Sequence, residues 1–227
     1  MTEIKLVRQS HNILYWPGNI GISATELIEL AGRTCYKSED KITEGSADKF
    51  VRMIRKRGHE SVIEHASATV KFITNRGVTH ELVRHRLAAY SQESTRYVNY
   101  GGKPMEFIIP VWTELPEITL QSFEDGTCEC TTDCKNLAEQ NWISACHRSA
   151  SCYQSLLDEG WRPEQAREVL PNSLKTEIVM TANMREWRHV FKLRTSKAAH
   201  PQMRALMIPV LKKFQSLAPA LFEDIEV

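Results

Sequence analysis

From Asn172 to Ala182 the side chains sort into two faces, with Leu174, Thr176, Ile178 and Met180 on one and Lys175, Glu177, Val179 and Thr181 on the other. A period of two is the pattern of a strand with one covered face. Asn183 follows, with Glu186 three residues later in the spacing of an N-terminal capping box. Trp187, Val190 and Phe191 then recur at helical intervals, which predicts a helix from Met184 to Leu193.

The remaining elements fit around this unit. Ile4–Val7 alternates weakly as a first strand, and Trp16-Pro17-Gly18-Asn19 is turn chemistry. Thr25 precedes a helix through Ala31, and Ser46 opens a second helix, Asp48 to Arg57, that Gly58 closes. Val62–Thr74 reads as a strand, Glu106–Pro110 as a short one stopped by proline, and about 115–157 as helical pieces. Pro163–Pro171 is a helix of about two turns containing Arg167, and a last amphipathic helix runs from His200-Pro201 to Leu217. With 227 residues, 42% of them hydrophobic, and no break in composition, the chain is expected to form one domain, with a variable helical insertion at 110–160.

The chemistry concentrates in Gly77–Tyr97, where Arg84, His85, Arg86 and Arg96 lie close to Ser91, Ser94 and Thr95. Val78, Leu82, Val83, Leu87 and Ala88 predict a helix from Gly77 or Thr79 to about Ala89, with the serines on the turn after it. On such a helix Arg84, His85 and Arg86 fan over roughly 200°. Two guanidinium forks with nearby hydroxyls suit phosphate or carboxylate, and a solvated basic face offset by Glu81 and Glu93 is the plainer reading. Arg194 ends the apolar stripe of Trp187, Val190 and Phe191, about 20° from Trp187. A guanidinium drawn toward a core needs an acceptor, so it either caps the helix C-terminus or meets a ligand oxygen.

A formal charge of +1 gives no global attraction to nucleic acid or membrane, so any basic site is local and suits a small anion. No apolar run approaches the ~20 residues that span a bilayer, and the first residues are not a signal peptide, so a cytoplasmic protein is expected. Six cysteines then read as reduced thiols. Cys128, Cys130 and Cys134 lack the paired spacing of a structural zinc site, so no metal is expected.

Arg84-His85-Arg86, seven further residues, Ser94, and then Arg96-Tyr97 resembles the RHR-x7-S motif of the flavin-dependent thymidylate synthases. The resemblance extends to Gly58-His59-Glu60-Ser61 with Glu64-His65, to Gln165-Ala166-Arg167, and to Asn183 through Arg194. Only the first twenty residues and roughly 110–160 lie outside it. It implies an α/β fold of the α+β type, a mixed sheet flanked by helices, assembled as a homotetramer with active sites shared between subunits.

It further implies reductive methylation of dUMP to dTMP, with FAD as cofactor and NADPH and methylenetetrahydrofolate as co-substrates, and without a cysteine nucleophile. The matching positions imply flavin contacts at His59, Ser61, Arg84, His85, Arg86, Gln92, Asn183, Met184, Arg185 and His189. They imply dUMP contacts at Glu81, Arg84, Gln92, Glu93, Ser94, Thr95, Arg96, Arg167 and Arg194, with Arg194 polarising the uracil. Gln92 stands where other members carry Glu, His189 where some carry Asn, and Glu81 where some carry an amide. No G-x-G-x-x-G follows a predicted strand, so flavin recognition rests on these segments. The competing readings are a non-catalytic nucleotide- or RNA-binding module using the basic helix, and a serine or zinc hydrolase.

Overall fold

The computed structural model describes residues 2–18, 21–121 and 136–227. Its strands are β1 (Glu3–Val7), β2 (Ser10–Tyr15), β3 (Ser67–Asn75), β4 (Ala88–Gln92), β5 (Met105–Ile108), β6 (Ile118–Gln121) and β7 (Lys175–Asn183). Its helices are α1 (Ala24–Thr34), α2 (Ser46–Lys56), α3 (Arg76–Leu82), α4 (Leu137–Asp158), α5 (Pro163–Ala166), α6 (Met184–Arg194), α7 (Pro201–Leu217) and α8 (Pro219–Phe222). Three strands form a sheet of order β5-β1-β6 and four form a sheet of order β2-β3-β7-β4. The chain divides into two compact units, Met1–Ser10 with Ile73–Leu82 and Gln92–Ile178, and His11–Phe72 with Val83–Ser91 and Val179–Val227.

In the first unit β1 is the middle strand, parallel to β5 and antiparallel to β6, which makes the sheet mixed. Ile4 lies opposite Met105 and Leu120, and Leu6 opposite Phe107 and Ile118. This apolar row packs with Ile143, Cys146, Ala150 and Tyr153 of α4. Lys175 is held by Glu106 at 3.1 Å and by Glu177 at 3.0 Å.

In the second unit, Trp187 and Phe191 of α6 meet Phe214 of α7, and Phe191 and Phe214 meet Phe222 of α8, ring against ring. The Trp187 indole also donates to the Ala68 carbonyl at 3.1 Å, so a buried N–H finds its acceptor. α1 is capped by Ser23, ahead of the expected Thr25, because Ser23 and Glu26 form a reciprocal capping box. Gly58 follows α2 with φ +73°, the left-handed residue that ends a helix.

Two expected elements are corrected. Residues Glu60–His65 form a 3-10 segment that buries only Ile63, and the strand expected from Val62 starts at Ser67. The helix expected to reach Ala89 ends at Leu82. Leu82 is fully buried, but Val83 and Leu87 are 39% and 75% exposed, so the apolar positions beyond Leu82 have no core to cover. Arg84, His85 and Arg86 therefore occupy a turn and its exit, with no helical fan; Ser91 belongs to β4, and Ser94 and Thr95 come after it. Strands β2 and β6 were not expected, and α4 is one continuous helix of 22 residues. The Cys128, Cys130 and Cys134 cluster lies outside the described residues.

Candidate active site

The Asn183 side chain accepts from the Glu186 backbone N–H at 2.8 Å and starts α6, as expected. Burial of Trp187, Val190 and Phe191 then fixes the rotation of the helix. This places Glu186, His189 and Arg194 within about 140° of the helix surface. His85 leaves the turn after α3 to meet them and is only 5% exposed. Arg194 Nε donates to His85 Nε2 at 2.9 Å, and His85 Nδ1 lies 3.3 Å from Glu186 Oε1. The His189 ring stands edge-on to His85 with centroids 5.5 Å apart, and the Tyr90 hydroxyl donates to the His85 carbonyl at 2.9 Å.

Arginine has no acceptor, so His85 Nε2 must present its lone pair, and the ring proton sits on Nδ1, directed at Glu186. Burial, then the charges of Arg194 and His189, lower the His85 pKa to about 4. The His85–Glu186 contact is accordingly a hydrogen bond from a neutral imidazole, not an ion pair. Burial raises the Glu186 pKa against the opposing pull of His189 and Arg185. Glu186 reads in sequence only as a capping-box residue; the Asn183-x-x-Glu186 spacing hides its second partner, which no local pattern signals.

Two cavities lie in the second unit, and the smaller is lined by Glu186 and His189 of this cluster. One of about 910 Å³ is lined by His59, Ser61 and Arg185 together with Arg33, Lys41, Arg57, Tyr36 and Phe50. The other, about 500 Å³, is lined by Asn183, Arg185, His189, Glu186, Lys192 and Leu87, among others. Arg185 lines both and pairs with Glu64 at 2.6 Å and Glu60 at 3.4 Å. Met184 is fully buried and its N–H donates to the Ala66 carbonyl, so its side chain serves the core. Arg84 and Arg86 are exposed.

The first unit gathers another set. Arg167 Nη1 donates to Thr95 Oγ1 at 3.3 Å, and the Arg96 N–H donates to Ser94 Oγ at 3.3 Å. The Arg96 guanidinium lies over Tyr97 and 3.7 Å from Glu164. Glu93 accepts from the Tyr100 hydroxyl at 2.8 Å, and Glu81 is half-buried. Gln92 spends its amide hydrogens on Thr79 Oγ1 at 2.9 Å and Thr176 Oγ1 at 3.3 Å. Thr79 already donates to the Arg76 carbonyl, so it needs a donor from its partner, which an amide supplies and a carboxylate does not.

The family model described as "Thymidylate synthase complementing protein" matches residues 22–220. The flavin-dependent thymidylate synthase of Geobacter sulfurreducens is 35% identical over 204 residues, covering 87% of this chain and 80% of that protein. That of Mycolicibacterium gilvum is 37% identical over 206 residues, covering 88% and 79%. The chain belongs to the flavin-dependent thymidylate synthase family. Like other flavin-dependent thymidylate synthases it is an enzyme that depends on a flavin. Among solved structures, the UMP/dUMP methylase PolB of Streptomyces cacaoi, bound with 5-Br dUMP, matches with a TM-score of 0.72. It is 25% identical, with 97% of this chain and 96% of that chain covered. The α+β class expected from the resemblance is thus the observed one.

Proposed function

We propose that this flavin-dependent enzyme methylates dUMP to dTMP, with NADPH as reductant and methylenetetrahydrofolate as one-carbon donor. The observation that carries the reading is the Arg194 guanidinium, backed by an aromatic core and aligned by His85, in a chain of this family. Arg194 stabilises negative charge developing on the uracil, a preorganised contribution of a few kcal/mol. Ser94, Thr95, Arg96 and Arg167, with Arg84, Glu81 and Glu93, hold the nucleotide and supply proximity.

The donor set of the larger cavity fits FAD: Arg33, Lys41, Arg57 and Arg185 suit a pyrophosphate, and His59 and Ser61 add hydrogen-bonding groups. Asn183, His189 and the Arg84–Arg86 segment complete the flavin contacts. The bound flavin supplies the hydride. Homotetrameric assembly in the cytoplasm, with sites shared between subunits, belongs to the same reading. Among the described residues no helix is long and apolar enough to cross a membrane.

Burial pushes the Cys146 thiol up to about 12, so that side chain is not a thiolate nucleophile at neutral pH. The RNA-binding alternative is disfavoured, since Arg84, His85 and Arg86 do not lie on the basic helix it requires. Purified protein should be yellow and should form dTMP only with dUMP, NADPH and methylenetetrahydrofolate all present. A colourless protein with salt-sensitive polyanion binding would favour the rival module. Arg194→Ala should abolish product while flavin absorbance persists; near-normal turnover would remove Arg194 from its role.

A further inference from the structure

We propose that Glu186 is the positioning residue that aims Arg194, acting through the ring of His85; the proposal rests on the reading that Arg194 meets the uracil. Glu186 is 6% exposed and His85 5%, so both are cut off from the water that would otherwise decide their hydrogen bonding. A carboxylate at this depth costs desolvation free energy, and the return is the bond from His85 Nδ1. That bond holds the ring proton on Nδ1, which keeps Nε2 as the acceptor for Arg194 Nε at 2.9 Å. Without it the ring can carry its proton on Nε2 instead. A ring N–H would then face the guanidinium N–H, and Arg194 Nε would lose this acceptor and the alignment it gives.

The groups around the pair agree with this assignment. His189 faces His85 edge-on, Tyr90 fixes the His85 backbone, and Arg185 and His189 both draw on the Glu186 charge. His85, Glu186 and His189 also have the proximity of a metal-ligand set. Both His85 nitrogens are engaged, however, and a cation there would confront Arg194, so Glu186, His85 and Arg194 form a hydrogen-bond chain with His189 packed edge-on against it. The device resembles the carboxylate that orients a catalytic histidine, with the final link being a guanidinium instead of a nucleophile.

The test combines heteronuclear NMR of the histidine ring nitrogens with steady-state kinetics on the flavin-loaded wild type, Glu186→Ala and Glu186→Gln, with His85→Gln to assign the resonance. Wild-type His85 should carry its proton on Nδ1. Glu186→Ala should shift it to Nε2 and lower kcat by about 10- to 100-fold, with KM for dUMP and flavin absorbance little changed. Glu186→Gln, whose amide oxygen still accepts from Nδ1, should restore the wild-type tautomer and most of kcat. An Nε2-protonated ring in the wild type overturns the proposal whether or not the variants fold, as does Glu186→Ala with wild-type kcat. Failure of the wild type to form dTMP would instead overturn the functional reading, and the tautomer measurement does not depend on it.

Discussion

Burial and the neighbouring Arg194 and His189 charges hold His85 neutral down to about pH 4, whereas an unfolded histidine takes up a proton near 6.5. Between these values the unfolded chain binds a proton that the native chain refuses. Stability therefore falls as pH drops through that window, by no more than about 3 kcal/mol. Glu186, with its raised pKa, works in the opposite sense: the native state keeps its proton to higher pH, adding stability below about 4.5 that is lost as pH rises. His85→Gln should flatten the loss between pH 6.5 and 4, read as the difference in urea midpoints between variant and wild type. At this scale the sequence makes Arg194 legible, because a charged residue closing an apolar stripe demands an acceptor. It does not show that the acceptor is an imidazole 109 positions away.

Helices α1 and α2 approach so closely at Gly32 that an added Cβ would lie 2.4 Å from Phe50 Cζ and 3.1 Å from Val62 Cγ1. Gly32→Ala should cost about 1–3 kcal/mol, a fall of roughly 2–4 °C in Tm per kcal/mol. It should also displace Phe50 into the cavity that holds His59 and Ser61, weakening flavin retention; thermal melts and visible absorbance report both. Long elements with one covered face, β7, α2, α6 and α7, are written plainly in residue periodicity. The turn after α3 is not, because Val83, Leu87 and Ala88 satisfy helical spacing although Val83 and Leu87 are exposed. β2 escapes for the converse reason: Ile13, Leu14 and Tyr15 run consecutively, with Leu14 and Tyr15 about half exposed, so the residue types show no period of two.

Over the whole chain, residues near position 220 close the aromatic unit through charge as well as apolar contact. Arg188 is 3% exposed and grips Asp224 with two bonds of 2.8 Å, while Arg52 and Arg55 bind Glu223. Removing Asp224 leaves the buried Arg188 guanidinium with the Leu221 carbonyl but no counter-charge, so Asp224→Ala should lower unfolding free energy by about 3 kcal/mol, measurable by urea denaturation. The Arg188 bonds also hold the Asp224 pKa low, so this contribution is present above about pH 4 and fades as acid protonates the carboxylate. Which site residues share a neighbourhood is the least legible level. Thr95 meets Arg167 across 72 positions and His85 meets Glu186 across 101, distances over which no periodicity carries information.

The middle position of β1 has a consequence for how the chain is made. Both neighbours of Glu3–Val7 come from residues 105–121, so the opening segment leaves the ribosome about a hundred residues ahead of either partner. At ordinary elongation rates of 5–20 residues per second, that leaves its apolar row unpaired for roughly 5–20 s. Ile4 and Leu6 thus stay open to a nascent-chain chaperone for that interval.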